Sequence, residues 1–420
     1  MQQAIDNKQI VERKLHFSIG AILLLNLYLL TGIFKMPYFP VLILCLGVAT
    51  YFMIDRFDRS IFVNLVNNWN TFFYIVFSIF LLLIQLALAE NKIELKINDS
   101  IRILIYSIYF SWTAFLYQDK AHLTAFIFKL SLVCFIILLI EGIVEMLDPF
   151  LFALLLSENV SKTMLRVGGT FADANAYSNA VVILGFLVLK FMPQLPNKKQ
   201  MGLVLFVVVT ILYLVELSGS RQGILLFIVL CAYFLPNLVK ILGVKRMLLV
   251  LSVFILLLLA FSPVIYQYLL QNPDSSLARV LFDSENPKSI NSDLERSSAM
   301  TAGLTYIKNH FYLYGTGLFL FENEWSNYVQ VQIPFPHNSF VFLYCQYGIG
   351  ALLFFYFLWI ATKRAITQQL WPLMIMLSIQ LFLLSNPVYY PIHYFTLFVV
   401  DACWLASQSN SNTLNLHKHE

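Results

Sequence analysis

The sequence predicts an all-α fold: a polytopic membrane protein of about 10–12 transmembrane helices, with one large external loop containing an amphipathic helix. Three observations predict it. Of 420 residues, 59% are hydrophobic and only 12% are charged; a soluble domain carries roughly a quarter charged residues. Apolar runs recur along the chain, and a run of about 20 residues, as helix, crosses a hydrocarbon core of roughly 30 Å with its backbone polar groups satisfied internally. The basic residues collect between alternate runs, as the positive-inside rule requires.

The runs lie near 15–34, 37–54, 71–89, 101–117, 122–144, 176–193, 201–217, 222–239, 247–268, 338–361, 369–386 and 389–406. The first, behind Lys8, Arg13 and Lys14, is longer than a signal-peptide core and lacks an A-x-A cleavage site, so it is read as a retained span. With the N-terminus inside, Arg56, Arg59, Lys120, Lys190, Lys198, Lys199, Lys240, Lys245, Arg246, Lys363 and Arg364 all fall on the cytoplasmic side. Both termini are then cytoplasmic. The chain divides into N-terminal transmembrane helices (1–268, about nine spans), a large external loop (269–336), and C-terminal transmembrane helices with a cytoplasmic tail (337–420).

Composition also excludes. A net charge of +4 over this length gives no reason to propose a nucleic-acid partner. Cys45, Cys134, Cys231, Cys345 and Cys403 all lie inside apolar runs without metal-ligand spacing, so neither a disulfide framework nor a metal site is expected. No nucleotide-binding glycine loop is present, and no cofactor is expected. Lys129 and Asp401 fall within spans, where each is expected to pair with a polar neighbour or face the bundle interior.

The same orientation puts three polar islands on the outer face: RVGGTFADAN (Arg166–Asn175), SGSRQG (Ser218–Gly223), and the long loop. A connection of that length is expected to carry function. Within it, Ser292 and Glu295 have capping-box spacing, and Met300, Leu304 and Ile307 recur at helical intervals, predicting an amphipathic helix over about 293–309 on the membrane surface. Arg166, Arg221, Arg279 and Arg296 lie on the side that disfavours basic residues. Guanidinium forks match phosphate oxygens and stay charged, so two or three of them meeting would hold a lipid pyrophosphate. Snorkelling, or ion pairs with Asp173, Asp293 or Glu295, is the alternative. His337, followed by Asn338, can take a proton near neutral pH. Asp173 and Asn175 either cap the following span or help hold a phosphate at its start.

Together the islands resemble the O-antigen polymerase and ligase superfamily. RVGGTFADANAYSNAVV resembles its R-x-x-G-T-F-x-x-x-N segment and LSGSRQGILLF its S-x-S-R-x-G turn; ERSSAMTAGLTYIKNHFYLYGTGLFLF is similar to its R…G-x-G loop stretch. HNSFVFLYCQYGIGALLFF resembles its H-N…G-x-G signature, with Gly348 in register and Ala351 departing from the ligase pattern.

The resemblance implies a metal-independent, inverting glycosyltransferase of the bacterial cytoplasmic membrane, working on its outer face with undecaprenyl-pyrophosphate-linked glycan as donor and acceptor. It implies catalytic roles for His337 and Arg221 and substrate binding by Arg166 and Arg296; Asn338, Asp173 and Asn175, read from their own positions, are expected to join in binding substrate. A chain-length regulator and a flippase are the implied protein partners. The first reading is a polymerase of surface-polysaccharide repeat units (O-antigen or capsule); the alternative is a ligase handing the glycan to lipid A core or to protein. A transporter of the same lipid is a third reading, disfavoured by polar features crowding one face and by the lack of an internal repeat.

Overall fold

The structure is a computed structural model that describes residues 120–149, 167–171, 173–193, 196–273, 275–282, 287–309, 338–348, 350–383 and 391–416, with Leu30 and Phe152. The expected spans at 15–34, 37–54, 71–89 and 101–117 lie outside the described residues, apart from Leu30, which is helical and buried.

Among the described residues every regular element is a helix: α1 (Lys120–Leu147), a short 3-10 turn (Gly169–Phe171), α2 (Ala174–Lys190), α3 (Asn197–Ser218), α4 (Arg221–Leu242), α5 (Val244–Gln271), α6 (Ser276–Leu281), α7 (Pro287–Asn309), α8 (Ser339–Tyr347), α9 (Gly350–Thr367), α10 (Trp371–Leu383) and α11 (Pro391–Leu416). Ala121–Leu147 and Lys199–Ser218 are each long and apolar enough to cross a membrane; Ala174–Lys190, Arg221–Pro236 and Trp371–Leu383 are shorter apolar helices.

Helix α2 is the hub. Its residues from Ala176 to Leu189 are all buried, as expected of a helix that is apolar on every side. Helices α1, α3, α4 and α10 pack around it. The long α5, by contrast, turns Leu248, Leu249, Leu256, Leu259 and Phe261 outward, a surface suited to lipid rather than water.

Five of the predicted spans, from 122–144 to 247–268, appear as α1 to α5 within a few residues of their expected ends. The span expected at 338–361 is instead two helices, α8 and α9, broken at Gly348 (φ 54, ψ −129). That conformation lies outside the regions open to a residue with a Cβ. The loop helix ends at Asn309 as expected but begins at Pro287, a residue suited to the first helical position because its missing N–H has no intrahelical partner there. Its inward face also differs: Ala299, Ala302 and Tyr306 are buried against Val341, Phe342 and Cys345 of α8, while Leu304 is 51% exposed. Met300 and Ile307 of the expected stripe pack against this seam, so Leu304 alone of the three departs from it. Asp401 is paired as expected, accepting from Arg364 at 2.9 Å with both side chains about 10% exposed. Lys129 departs from expectation and is exposed on the outside of α1.

Contacts between helix ends give the bundle two distinct poles. At one, Lys190 at the end of α2 donates to the Tyr233 hydroxyl of α4, which donates to the Gln369 carbonyl ahead of α10 at 3.0 Å. Trp371 packs edge-on against the same tyrosine. At the other pole the first turns of α2 and α4 meet the last turn of α3, and the polar islands gather there.

Candidate active site

The SGSRQG turn is built from its own hydroxyls. The Ser218 hydroxyl donates to the Val215 carbonyl at 2.7 Å and accepts the Ser220 amide at 3.3 Å. Gly219, left-handed at φ 60, ends α3. Ser220 then caps α4, its hydroxyl accepting the Gly223 amide at 3.1 Å and donating to Asn175 Oδ1 at 2.9 Å. Arg221 is the first residue of α4 and is half-buried. A Cβ at Gly223 would lie 2.9 Å from the Ser178 Cβ, so α4 and α2 nearly touch here.

The first island is tied to the same place. The Val167 amide donates to the Leu217 carbonyl at 3.2 Å. The Gly168 and Gly169 amides donate to the Glu145 carboxylate at the end of α1, at 3.1 and 2.7 Å. A side chain of the protein thus takes both amides. Gly169 has φ +56, and a Cβ there would fall 2.5 Å from the Tyr177 ring. Asp173 caps α2, accepting the Asn175 amide at 2.9 Å, so its expected capping role holds, and Asn175 faces the start of α4.

The beginning of the long loop closes over the turn through α6, a helix with too few residues to show a period in the sequence. The Ser276 hydroxyl donates to the Val215 carbonyl, the Leu277 amide to Glu216 Oε2 at 3.1 Å, and Arg279 Nη1 to the Gly219 carbonyl at 2.9 Å. Arg279 therefore stands within two residues of Arg221, although the residue roles implied by the resemblance leave it out.

The other candidates divide. Arg296 is half-buried on α7, one turn before the seam that joins α7 to α8. Asn338 is buried and caps α8, accepting the Phe340 and Val341 amides at 3.0 and 3.1 Å. Arg166 and His337 lie outside the described residues. The described geometry thus joins Arg221, Asp173, Asn175 and Arg279 at one pole, with Glu145, which the sequence did not single out. Arg296 and Asn338 are carried by the α7–α8 pair, whose α8 packs on α9 and α10.

Charges of both signs meet at this pole. The N-termini of α2 and α4 are joined by the Asn175–Ser220 hydrogen bond; Arg221 heads α4 and Arg279 bonds the Gly219 carbonyl, while the carboxylates of Asp173, Glu145 and Glu216 accept backbone amides beside them.

Residues 205–356 match the family model described as O-antigen ligase. That match, over less than half of the chain, supports the resemblance to the O-antigen polymerase and ligase superfamily. A comparison with curated proteins finds no match. The matched stretch begins within α3 at Leu205 and ends within α9 at Tyr356. It takes in the Arg221 turn, α6, Arg296, Asn338 and the Gly348 break, whereas the first island precedes it. The match and the apolar helices point to an integral membrane protein, and the family described is one of glycosyltransferase type.

Proposed function

We propose that the protein polymerises undecaprenyl-pyrophosphate-linked oligosaccharide repeat units into a surface polysaccharide, by inverting, metal-independent glycosyl transfer on the outer face of the cytoplasmic membrane. The observation that carries this reading is the junction of the first island, the Arg221 turn and α6 at one pole of the bundle. Arg221 and Arg166 grip the pyrophosphate, and Arg296 reaches it from the external loop. His337 accepts the proton of the acceptor hydroxyl as that oxygen attacks the anomeric carbon. The anomeric C–O bond breaks with its electrons passing to the pyrophosphate, through a sugar centre of oxocarbenium character. Cationic donors that meet the growing charge on the leaving group stabilise the transition state more than the ground state.

Asp173, Asn175 and Asn338 support this arrangement by fixing helix starts, and through their remaining polar atoms they line the substrate site. The loop of 269–336 acts as the external part of the enzyme, between the spans of 1–268 and 337–420. A chain-length regulator and a flippase are its working partners.

Ligation to lipid A core, or to protein, is the second reading, favoured by the description of the matching family as O-antigen ligase. Both reactions use one donor and differ in acceptor. Deleting the gene and resolving surface and lipid-linked glycans on a gel decides between them. Single-repeat glycan or lost capsule supports polymerisation, while full-length polymer accumulating on undecaprenyl pyrophosphate supports ligation. His337→Ala supplied in place of the gene is expected to reproduce the deletion at normal protein level. Wild-type polymer from that variant would reject the assignment of the base.

A further inference from the structure

We propose that Arg279 is a positioning residue for Arg221, acting through the peptide that joins Gly219 to Ser220; this rests on the glycosyl-transfer reading above. That peptide is gripped at both ends. Its carbonyl, on Gly219, accepts Arg279 Nη1 at 2.9 Å, and its amide, on Ser220, donates to the Ser218 hydroxyl at 3.3 Å. A peptide unit is planar, so two holds on one plane fix its rotation. Gly219 needs such holds, because it stands left-handed at φ 60 and, without a Cβ, meets little steric resistance to rotation. Rotation of this plane would shift the Ser220 hydroxyl away from the Gly223 amide and from Asn175. Those two bonds set the head of α4, whose first residue is Arg221.

Helix α6 is seated to deliver this hold. The Ser276 hydroxyl bonds the Val215 carbonyl and the Leu277 amide bonds the Glu216 carboxylate, so α6 is pinned to the last turn of α3 before the chain reaches Arg279. The charges suit the helix ends they meet. The Glu216 carboxylate lies at the start of α6 and the Arg279 guanidinium at the end of α3, the ends that favour each sign. A bond from a charged donor to a carbonyl is also stronger than a neutral one. Arg279 thereby ties the start of the external loop to the turn that presents Arg221, and acts on the pyrophosphate through that residue.

Binding of undecaprenyl pyrophosphate to the full chain in lipid nanodiscs tests this, because affinity remains measurable when transfer is lost. Arg279→Ala is expected to weaken binding about tenfold in the otherwise native chain. In the Arg221→Ala background the same change is expected to alter affinity less than about twofold, since the arginine it positions is already gone. Arg279→Met keeps the stem and removes only the donors, and it replaces Ala in the same cycle where Ala fails to fold. Arg279→Lys should recover most of the loss, because one N–H is enough to hold a carbonyl.

An equal loss in both backgrounds overturns the inference, since Arg279 would then act on substrate or on the fold independently of Arg221. Unchanged affinity overturns it as well. So does a lysine variant as poor as Arg279→Ala, which is the mark of paired bonds to phosphate. Arg221→Ala is the control on the underlying reading. If it leaves binding unchanged, that reading fails; if it weakens binding and Arg279→Ala does not, the positioning role alone fails.

Discussion

Ser220 and Asp173 cap the first turns of α4 and α2, and the Ser220–Asn175 bond joins them, so both helix starts are held by side chains other than that of Arg221. Arg221→Ala should therefore leave the protein at normal level in the membrane while lowering transfer about 100- to 1000-fold, the usual cost of losing one donor to a developing anion. Arg221→Lys should recover little of it, because a single ammonium cannot form the paired bonds of a guanidinium. Transfer assays on purified protein, with amounts matched by immunoblot, measure both, and full activity in Arg221→Ala would remove this arginine from the site. The capping role of Asp173 was legible from FADAN because a cap acts on its own helix. Glu145 was not, because it meets its partners 23 and 24 residues further along, and an acid near the end of an apolar run carries no local pattern that names them.

Between elements, hydropathy locates helices more surely than it divides them. The run 338–361 reads as one span because α8 and α9 are both apolar, and composition does not register the backbone angles of Gly348. The break stops α8 at nine residues, about 13 Å of helix, too short to cross a membrane alone. Its Asn338 cap thus belongs to a half-helix seated on α7. Gly348→Ala is expected to strain this break at a cost of about 1–3 kcal/mol. A lowered thermal midpoint in detergent, with transfer reduced at temperatures where the protein stays folded, would report it. An unchanged midpoint would mean that α8 and α9 can merge into one helix. The seam between α7 and α8 was legible in part: Met300 and Ile307 pack against it as the helical period suggests, whereas Ala299 and Ala302 carry too little apolar weight to mark it and Leu304 faces away.

Across the whole molecule, the two poles of the bundle give the proposed orientation a direct test. Lys190, Tyr233, Gln369 and Trp371 meet at one pole, and Asn175, Ser220 and Arg279 at the other, so consecutive helices from α2 to α5 run in alternating directions. In the proposed orientation, which follows the distribution of lysine and arginine, the first pole faces the cytoplasm. Leu294, 64% exposed on α7, and the exposed Gln369 are suitable sites for single cysteines. The native cysteines lie within apolar runs and give little background to a charged thiol reagent. In intact cells a membrane-impermeant maleimide should label Leu294→Cys, and should reach Gln369→Cys only after permeabilisation. The opposite pattern would put Arg221 and its neighbours in the cytosol. A donor presented on the external leaflet could not reach them there, so inverted labelling would reject polymerase and ligase alike at that site, whatever sugar is transferred.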